Sequence, residues 1–530
     1  MGELEELKQN RKELLKAEIA AWLHDMGKCT REFFENKKER KGYKAIFSEN
    51  ELGQRWFWGK LPEKHHRLPD REKLSKEARS PKALHGIISD LNILDFEISF
   101  PALSNQKVSC RDLIFLSRPG FIPLNKLPEF VRYLGRSHAA AHLEKEEPEE
   151  KKWSQFISTP FGWEKEKVEG DRLTEKLEKV IQFISDFLVT SISKEKLKGQ
   201  ITENFSQVLG DDRYPDNEVT LWDWGFVVSA LYKAALAGAL LGYKPDPNEL
   251  RWRLLSVRFD GLGFLSEAHR IPDLLGRKKA LENALDKVKE LLEVEYPLGT
   301  EIYRDENGSI YVVPGCDDEN LKDLLGLKDG NGRTLRELIK EQFKRELTEE
   351  RSKEPKELIA GEIIPEIKVD EKPWWAQDPQ WRTRQPEPRD EPPPIRDHLR
   401  TVTTVPDLDA LSESWQSLSK PEEVCTVCGL RPQGYLPDID GIDRKSLKEK
   451  AKRRDICGIC LKRRGSRSKD WAENKQGLFQ KTIWINEVCD NNGRIALLVG
   501  CFPLRHWLEG ILVRTPVSYT HLTLPTTERV

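Results

Sequence analysis

The chain has 530 residues, 38% hydrophobic and 33% charged, with a formal net charge of −2; this length suits three or four domains, and the balance gives no global pull toward nucleic acid, so such binding must come from local patches. No run approaches the roughly 18 apolar residues of a membrane span, and Met-Gly-Glu-Leu-Glu-Glu-Leu at the N-terminus reads as a charged helix, neither a signal peptide nor a myristoylation site. Nine cysteines without a secretory leader point to a reducing cytoplasm, where thiols serve metal binding or packing.

Residues 1–245 read mostly as helix, interrupted at 40–82 by a charged insertion with few apolar anchors. Leu15, Ile19, Trp22, Leu23 and Met26 recur at helical spacing, and Gly27 is a plausible stop. This puts His24 and Asp25 at a helix end, where a nitrogen ligand and a carboxylate can share metal ions, and two such ions activate water in phosphoester cleavage. His138 and His142 are four apart, on one helix face, with small Ala residues between them. With His24 and Asp25 they make a two-histidine, His-Asp metal pocket; His85 is a further candidate, while His65 and His66 lie in the charged insertion. Asp223, entering the Ala-rich helix that follows Leu221, is either a last ligand from a distant helix or a helix cap. Asp216 or Asn217 serves as a cap of the preceding turn, and Gly210-Asp211-Asp212, before a helix, is not read as part of a nucleotide-cyclase hairpin.

The period changes next. Arg253 to Gly263 reads as a strand ending in an acid and glycines. A helix over about Pro272 to Glu295 follows, then a hairpin turning at Asp305-Glu-Asn-Gly308 and a helix over about Thr334 to Thr348. Strand, helix, hairpin, helix over 250–350 is the order of a ferredoxin-like palm. Asp260 and Asp305 are its candidate metal-holding acids, the second also being a good turn residue. Residues 351–420 lose periodicity and read as a Pro- and Trp-rich linker.

Cys425-x2-Cys428 and Cys457-x2-Cys460, 28 residues apart, form a four-thiolate zinc module over 421–475. Four protein ligands leave no open position, so its role is structural. Between Asp443 and Lys469 there are 12 Lys or Arg against 3 acids. Arg453, Arg454, Lys462, Arg463 and Arg464 therefore either meet phosphates or form a solvated face. Residues 480–514 echo the earlier strand, with Leu497, Leu498 and Phe502 in the places of Leu254, Leu255 and Phe259; this reads as the start of a second palm, with Pro503 where the first has Asp260. Residues 515–530 continue no earlier pattern. They resemble a translated sequencing-adapter run, with the second palm cut short before them.

The fold class expected is thus multidomain α+β: a helical domain, a palm, a four-Cys module and the start of a second palm. The string His24-Asp25-Met26-Gly27-Lys28 resembles the motif of the HD phosphohydrolase superfamily. With the domain order, the strand Leu254–Gly263, Cys425–Pro432 and Cys457–Arg464, the chain resembles the large subunit of type III CRISPR effector complexes, the Cas-ten family, and most of all its Csx-eleven branch. That resemblance implies a cytoplasmic ribonucleoprotein in antiviral defence, with guide RNA, target RNA and the other type III effector subunits as partners. It further implies an HD nuclease cleaving single-stranded DNA with a divalent transition metal such as Mn, Ni or Co, and palms that make cyclic oligoadenylates from ATP. Pro503, and the lack of a Gly-Gly-Asp-Asp hairpin, point to a degenerate cyclase. Two other readings stay open, a non-catalytic scaffold or RNA-binding subunit of the same complex and a free-standing HD nucleotide phosphohydrolase.

Overall fold

The computed structural model describes residues 2–25, 96–110, 128–141, 194–210, 219–243, 250–315, 323–344, 359–371, 395–416, 423–436 and 444–464, apart from single positions within them, plus short stretches between 156 and 184. The charged insertion, His65, His66, His85, Asp211, Asp212, Asp216, Asn217, the expected second palm and the C-terminal tail lie outside the described residues.

The first half is built on helices α1 (Leu4–Gln9), α2 (Arg11–Leu23), α3 (Glu129–Ala140), α4 (Lys194–Phe205) and α5 (Leu221–Leu240). Two small antiparallel hairpins accompany them, β1–β2 (Glu97–Ile98 with Val108–Ser109) and β3–β4 (Phe156–Thr159 with Trp163–Lys167), which the helical reading of this half does not anticipate. Helix α5 is the axis of the molecule: it packs on α2 and α3 on one side and on the main sheet on the other. An element covered on both sides is apolar all round, which is why Trp224 to Leu241 carries a single charge, Lys233. Gly225 permits the close approach to α2, since a Cβ there would lie 3.0 Å from the Trp22 carbonyl oxygen. The end of α2 is likewise buried on every side from Ala17 to Leu23, although its sequence reads as one apolar stripe.

The main sheet has four antiparallel strands in the order β6–β7–β5–β8: β5 (Trp252–Arg258), β6 (Thr300–Asp305), β7 (Gly308–Pro314) and β8 (Glu366–Val369). Helices α6 (Gly261–Ser266) and α7 (Ile271–Glu290) connect β5 to β6, and α8 (Leu335–Lys344) connects β7 to β8. The connectivity is therefore β-α-β-β-α-β, with the first strand inside the sheet and every residue of β5 and β7 buried. The β6–β7 turn falls where Asp-Glu-Asn-Gly predicts; Gly308 has φ +134° and a Cβ on it would collide with the Val257 carbonyl. The long helix ends four or five residues before its expected limit, in a π turn over Leu291–Glu295. The fourth strand is a correction: it lies inside the stretch read as linker, because Glu-Ile-Lys-Val is too short an alternation to register as a strand.

One apolar core runs through the helical half and the sheet, from Leu4 and Trp22 through Leu236 to Trp252 and Ile367. The indole N–H of Trp252 donates to the Leu231 carbonyl at 2.8 Å, pinning β5 to α5. Helices α9 (Leu408–Gln416), α10 (Arg444–Lys452) and α11 (Gly458–Arg464) complete the chain, and a second, smaller core gathers around the four cysteines. Among the described residues no helix is long and apolar enough to cross a membrane.

Candidate metal centres

Two groups of ligand-type side chains converge among the described residues: Cys425, Cys428, Cys457 and Cys460, and His24, Asp25 and His138, each with its donor atoms within 4.8 Å of one another.

In the four-cysteine centre, the first pair sits on a turn closed by the Gly429 amide donating to the Cys425 carbonyl at 2.9 Å. The second pair opens α11. All four side chains are buried, and the Cys428 and Cys457 sulfurs are 4.0 Å apart. Sulfurs bound at ~2.3 Å around a tetrahedral ion lie about 3.8 Å apart, so the donor set fits a metal such as zinc. Hydrogen bonds from Cys428, Cys457 and Cys460 draw the Cys425 thiol well below its ordinary pKa. Sharing with Cys425 pushes Cys457 and Cys460 well above theirs. Against the upward push of sharing with Cys425, the Cys428 thiol is drawn down as well, to about 6, by hydrogen bonds from Cys457 and Cys460.

The basic residues next to this centre are not one surface patch. Arg463 is buried, donating to Glu362 at 2.6 Å and to the Ile359 carbonyl at 2.8 Å. Arg431 also donates to Glu362, at 2.5 Å, and to the Ala360 carbonyl. Arg464 grips Asp273 on α7 with two bonds of 2.6 and 2.8 Å. Arg277 on α7 donates to the Val427 carbonyl at 2.9 Å. Arg463 and Arg464, read from the sequence as candidate phosphate contacts, are instead engaged within the protein: these side chains clamp the cysteine module onto the segment 359–362 and onto α7. Lys462 is half-buried, and Arg453 and Arg454 are exposed after α10.

In the second centre, His24 and Asp25 follow directly on α2 and are each 2% exposed. The His24 ring donates from Nδ1 to the Ala21 carbonyl at 2.7 Å, which fixes the proton there and leaves the Nε2 lone pair facing inward. Nε2 meets His138 Nδ1, from α3, at 2.9 Å and Asp25 Oδ2 at 3.7 Å. Imidazole nitrogens occupying adjacent positions on an ion at ~2.1 Å are about 3 Å apart, and a ligating histidine whose other nitrogen donates to a carbonyl is the usual supporting arrangement. The set therefore fits a divalent transition metal. Trp224 packs edge-on against His138 with centroids 5.8 Å apart, giving the site an apolar wall, and Trp22 and Trp222 meet at a tilt of 55° with centroids 6.0 Å apart. The sequence reading takes Trp22 into its apolar stripe but passes over Trp222 and Trp224; their signal is a cluster of large aromatics, Trp222, Trp224 and Phe226, at the start of the helix that buries the site. His142 lies outside the described residues.

The remaining acids have other roles. Asp223 is exposed and closes a capping box on α5, accepting from the Thr220 hydroxyl at 2.7 Å and amide at 3.0 Å; it is not in the His24 group, and the alternative of a helix cap is the one observed. Asp260 caps α6, accepting from the Gly263 amide at 2.7 Å. Asp305 is bound by both arms of Arg258, at 2.6 and 3.1 Å, and by the Asn307 amide at 2.9 Å. Asp260 and Asp305 do not belong to either group of converging ligands among the described residues.

No protein-family model matches the chain and no curated protein does. Among solved structures it is similar to Csm1 of T.onnurineus, at 13% identity and a TM-score of 0.36 over 68% of this chain and 45% of that one. It is also similar to a Csm1–Csm4 cassette in complex with cA4, at 12% identity and a TM-score of 0.34 over 59% and 41%. A third is a Csm1–Csm4 subcomplex of a type III-A CRISPR-Csm interference complex, at 14% identity and 0.34 over 59% and 41%. The chain spans less than half the length of each.

Proposed function

We propose that the chain is the large subunit of a type III CRISPR RNA-guided interference complex, of the Cas-ten family and its Csx-eleven branch, carrying a metal-dependent nuclease for single-stranded DNA in its helical half. The observation that carries this reading is the convergence of His24, Asp25 and His138 at a buried helix end, from segments 114 residues apart. The resemblance of His24–Lys28 to the HD motif and the presence of the sheet and the cysteine module beside it add support. A nucleotide phosphohydrolase standing alone needs neither of those modules.

A divalent ion such as Mn, Ni or Co held there would supply Lewis-acid chemistry for phosphoester hydrolysis. His24 and His138 hold nitrogen donors toward it, with the Ala21 carbonyl locking the first ring. Asp25 would supply a carboxylate to the metal and orient the attacking water, and His142 is the fourth proposed ligand. The tryptophan wall keeps bulk water from one side. Zinc is the ion proposed for the four cysteines, with a structural role. Guide RNA, target RNA and the other effector subunits are the proposed partners, and Arg453 and Arg454 are the remaining phosphate-contact candidates of the basic run.

A second reading, a palm without cyclase activity on ATP, is favoured by Asp260 and Asp305, whose carboxylates are taken by a helix cap and by Arg258. The test is metal content and single-stranded DNA cleavage of the wild type beside His24→Ala/Asp25→Ala, assembled with guide RNA, target RNA and partner subunits. The variant is expected to keep its zinc and lose both the second metal and cleavage. Cleavage retained in the variant would refute the assignment, and zinc alone with no cleavage in either protein would favour a scaffold.

A further inference from the structure

Helix α2 carries a second buried group, Glu18, six residues before His24, or about 9 Å along the helix. Glu18 Oε2 lies 2.9 Å from Nζ of Lys194 on α4 and 3.4 Å from Nζ of Lys233 on α5. Lys194 also reaches Glu293 Oε2, at 3.0 Å, and Lys233 donates to the Glu293 main-chain carbonyl at 3.0 Å. The other oxygen of Glu293 accepts from the Glu301 amide on β6 at 2.9 Å. All four side chains are under 7% exposed. Burial alone pulls Lys194 down, but Glu18 and Glu293 together hold its pKa above the ordinary value, so it stays charged. Three of the four residues belong to the helical half, and Glu293 belongs to the π turn that leads into the sheet.

Two acids and two lysines make a neutral set, yet taking four charges out of water is costly before they attract one another, and apolar residues of the same volume often stabilise as well or better. The best-attested use of such a set is to fix register. Here the register it fixes is that of α2 against the sheet. The α1–α2 segment is tied at its other end too: the Leu4 amide donates to the Lys328 carbonyl at 3.0 Å, and Glu3 and Glu5 accept from the amides of Lys328 and Gly330 at 2.9 and 3.1 Å. Helix α5 joins in, since it carries both Lys233 and Trp224, the ring against His138. We infer that Glu293 is a positioning residue of the His24–Asp25–His138 centre, acting from the sheet through the buried four-charge joint.

This rests on reading that centre as a metal site, and the experiment separates the two. In the zinc-loaded full chain, Mn2+ binding is titrated by electron paramagnetic resonance for wild type, Glu293→Gln and Lys194→Met/Glu293→Gln; amide exchange of residues 20–25 is followed on the same proteins without Mn2+. Glu293→Gln leaves two lysines on one carboxylate, and is expected to weaken Mn2+ about 10-fold, the scale for losing a group that orients a ligand, and to speed exchange at 20–25. The double variant leaves Glu18 with Lys233 as a balanced pair and is expected to recover both. Wild-type affinity and exchange in Glu293→Gln would overturn the inference, and so would a double variant no better than the single one, the result for a packing role alone. A wild type that binds no Mn2+ while Glu293→Gln still loosens residues 20–25 would sink the metal reading and leave the joint standing. Should Glu293→Gln not fold, Glu293→Asp, which keeps the charge but shortens its reach to the Glu301 amide, carries the same comparison.

Discussion

Cys425 and Cys428 come from a tight turn and Cys457 and Cys460 from the start of α11, with 28 residues between the pairs, and the chain around them has little to do beyond folding back once. His24, Asp25 and His138 come from helices 114 positions apart, held in place by a third helix, α5, and through it by the sheet. The first centre is self-contained and leans from outside on α7 and the segment 359–362, through Arg431, Arg463, Arg464 and Arg277. The second is embedded: its ligands keep their distances only as long as α2, α3 and α5 keep theirs. A local centre gathers its own folding energy from the ion, whereas a distributed one inherits its geometry from the core. The two therefore should fail in different ways.

The largest separation is expected on removing a thiolate. Structural zinc sites of this type contribute apparent binding free energies of about 10–16 kcal/mol at neutral pH, and Cys457 is buried among the other three sulfurs. Cys457→Ser should lose the zinc and open residues 423–464 to proteolysis, while the His24 centre, whose helices belong to the other apolar core, keeps its metal. Metal content and the sites of limited proteolysis check this. Loss of both metals together would show that the centres are not independent.

A smaller effect is expected at the clamp. Glu362 takes both Arg431 and Arg463 in a buried site. Glu362→Gln removes a carboxylate that both buried guanidinium groups share, and losing one partner of a buried pair costs about 3–5 kcal/mol. Denaturant midpoints should fall accordingly and zinc should exchange faster with a chelator, with Mn2+ affinity at the His24 centre unchanged. Equal stability of Glu362→Gln and wild type would mean that the module is held by its apolar contacts and the remaining arginine bonds.

The same contrast decides what could be read from the chain itself. Cys-x2-Cys repeated once is a local pattern, and so is the Asp-Glu-Asn-Gly turn; both are found where the sequence places them. His24 and Asp25 were legible as a helix end with ligand chemistry, and His138 as half of a spaced pair, but that these meet depends on how α3 lies across α2, and no periodicity encodes that. Arg463 and Arg464 read as surface because neighbouring positions are basic; α11 packs against α7 and turns them inward, onto Glu362 and Asp273. Strand β8 was lost in the linker because four residues with one apolar alternation carry no signal until β5 supplies their partner. Glu18 and Lys233 did leave a trace: each is a lone charge in an apolar run, which is where a buried partner has to be sought.

The acids near the sites show the reverse problem, a local signal outweighed by an attractive role. Thr220-x-x-Asp223 is itself a capping-box pattern, and both of its reciprocal bonds are formed. Asp223→Ala should therefore cost about 0.5–2 kcal/mol through the lost cap, a modest fall in melting temperature, and leave zinc and Mn2+ stoichiometry as in wild type. Trp222 and Trp224 lie within the first turn that Asp223 caps, so a slight fraying there would reach the wall of the His24 centre before it reached any ligand, and indole fluorescence should change ahead of metal affinity. Loss of Mn2+ in this variant without loss of α5 would instead make Asp223 a ligand of the embedded centre, and would mean that the capping box opens when the ion is bound.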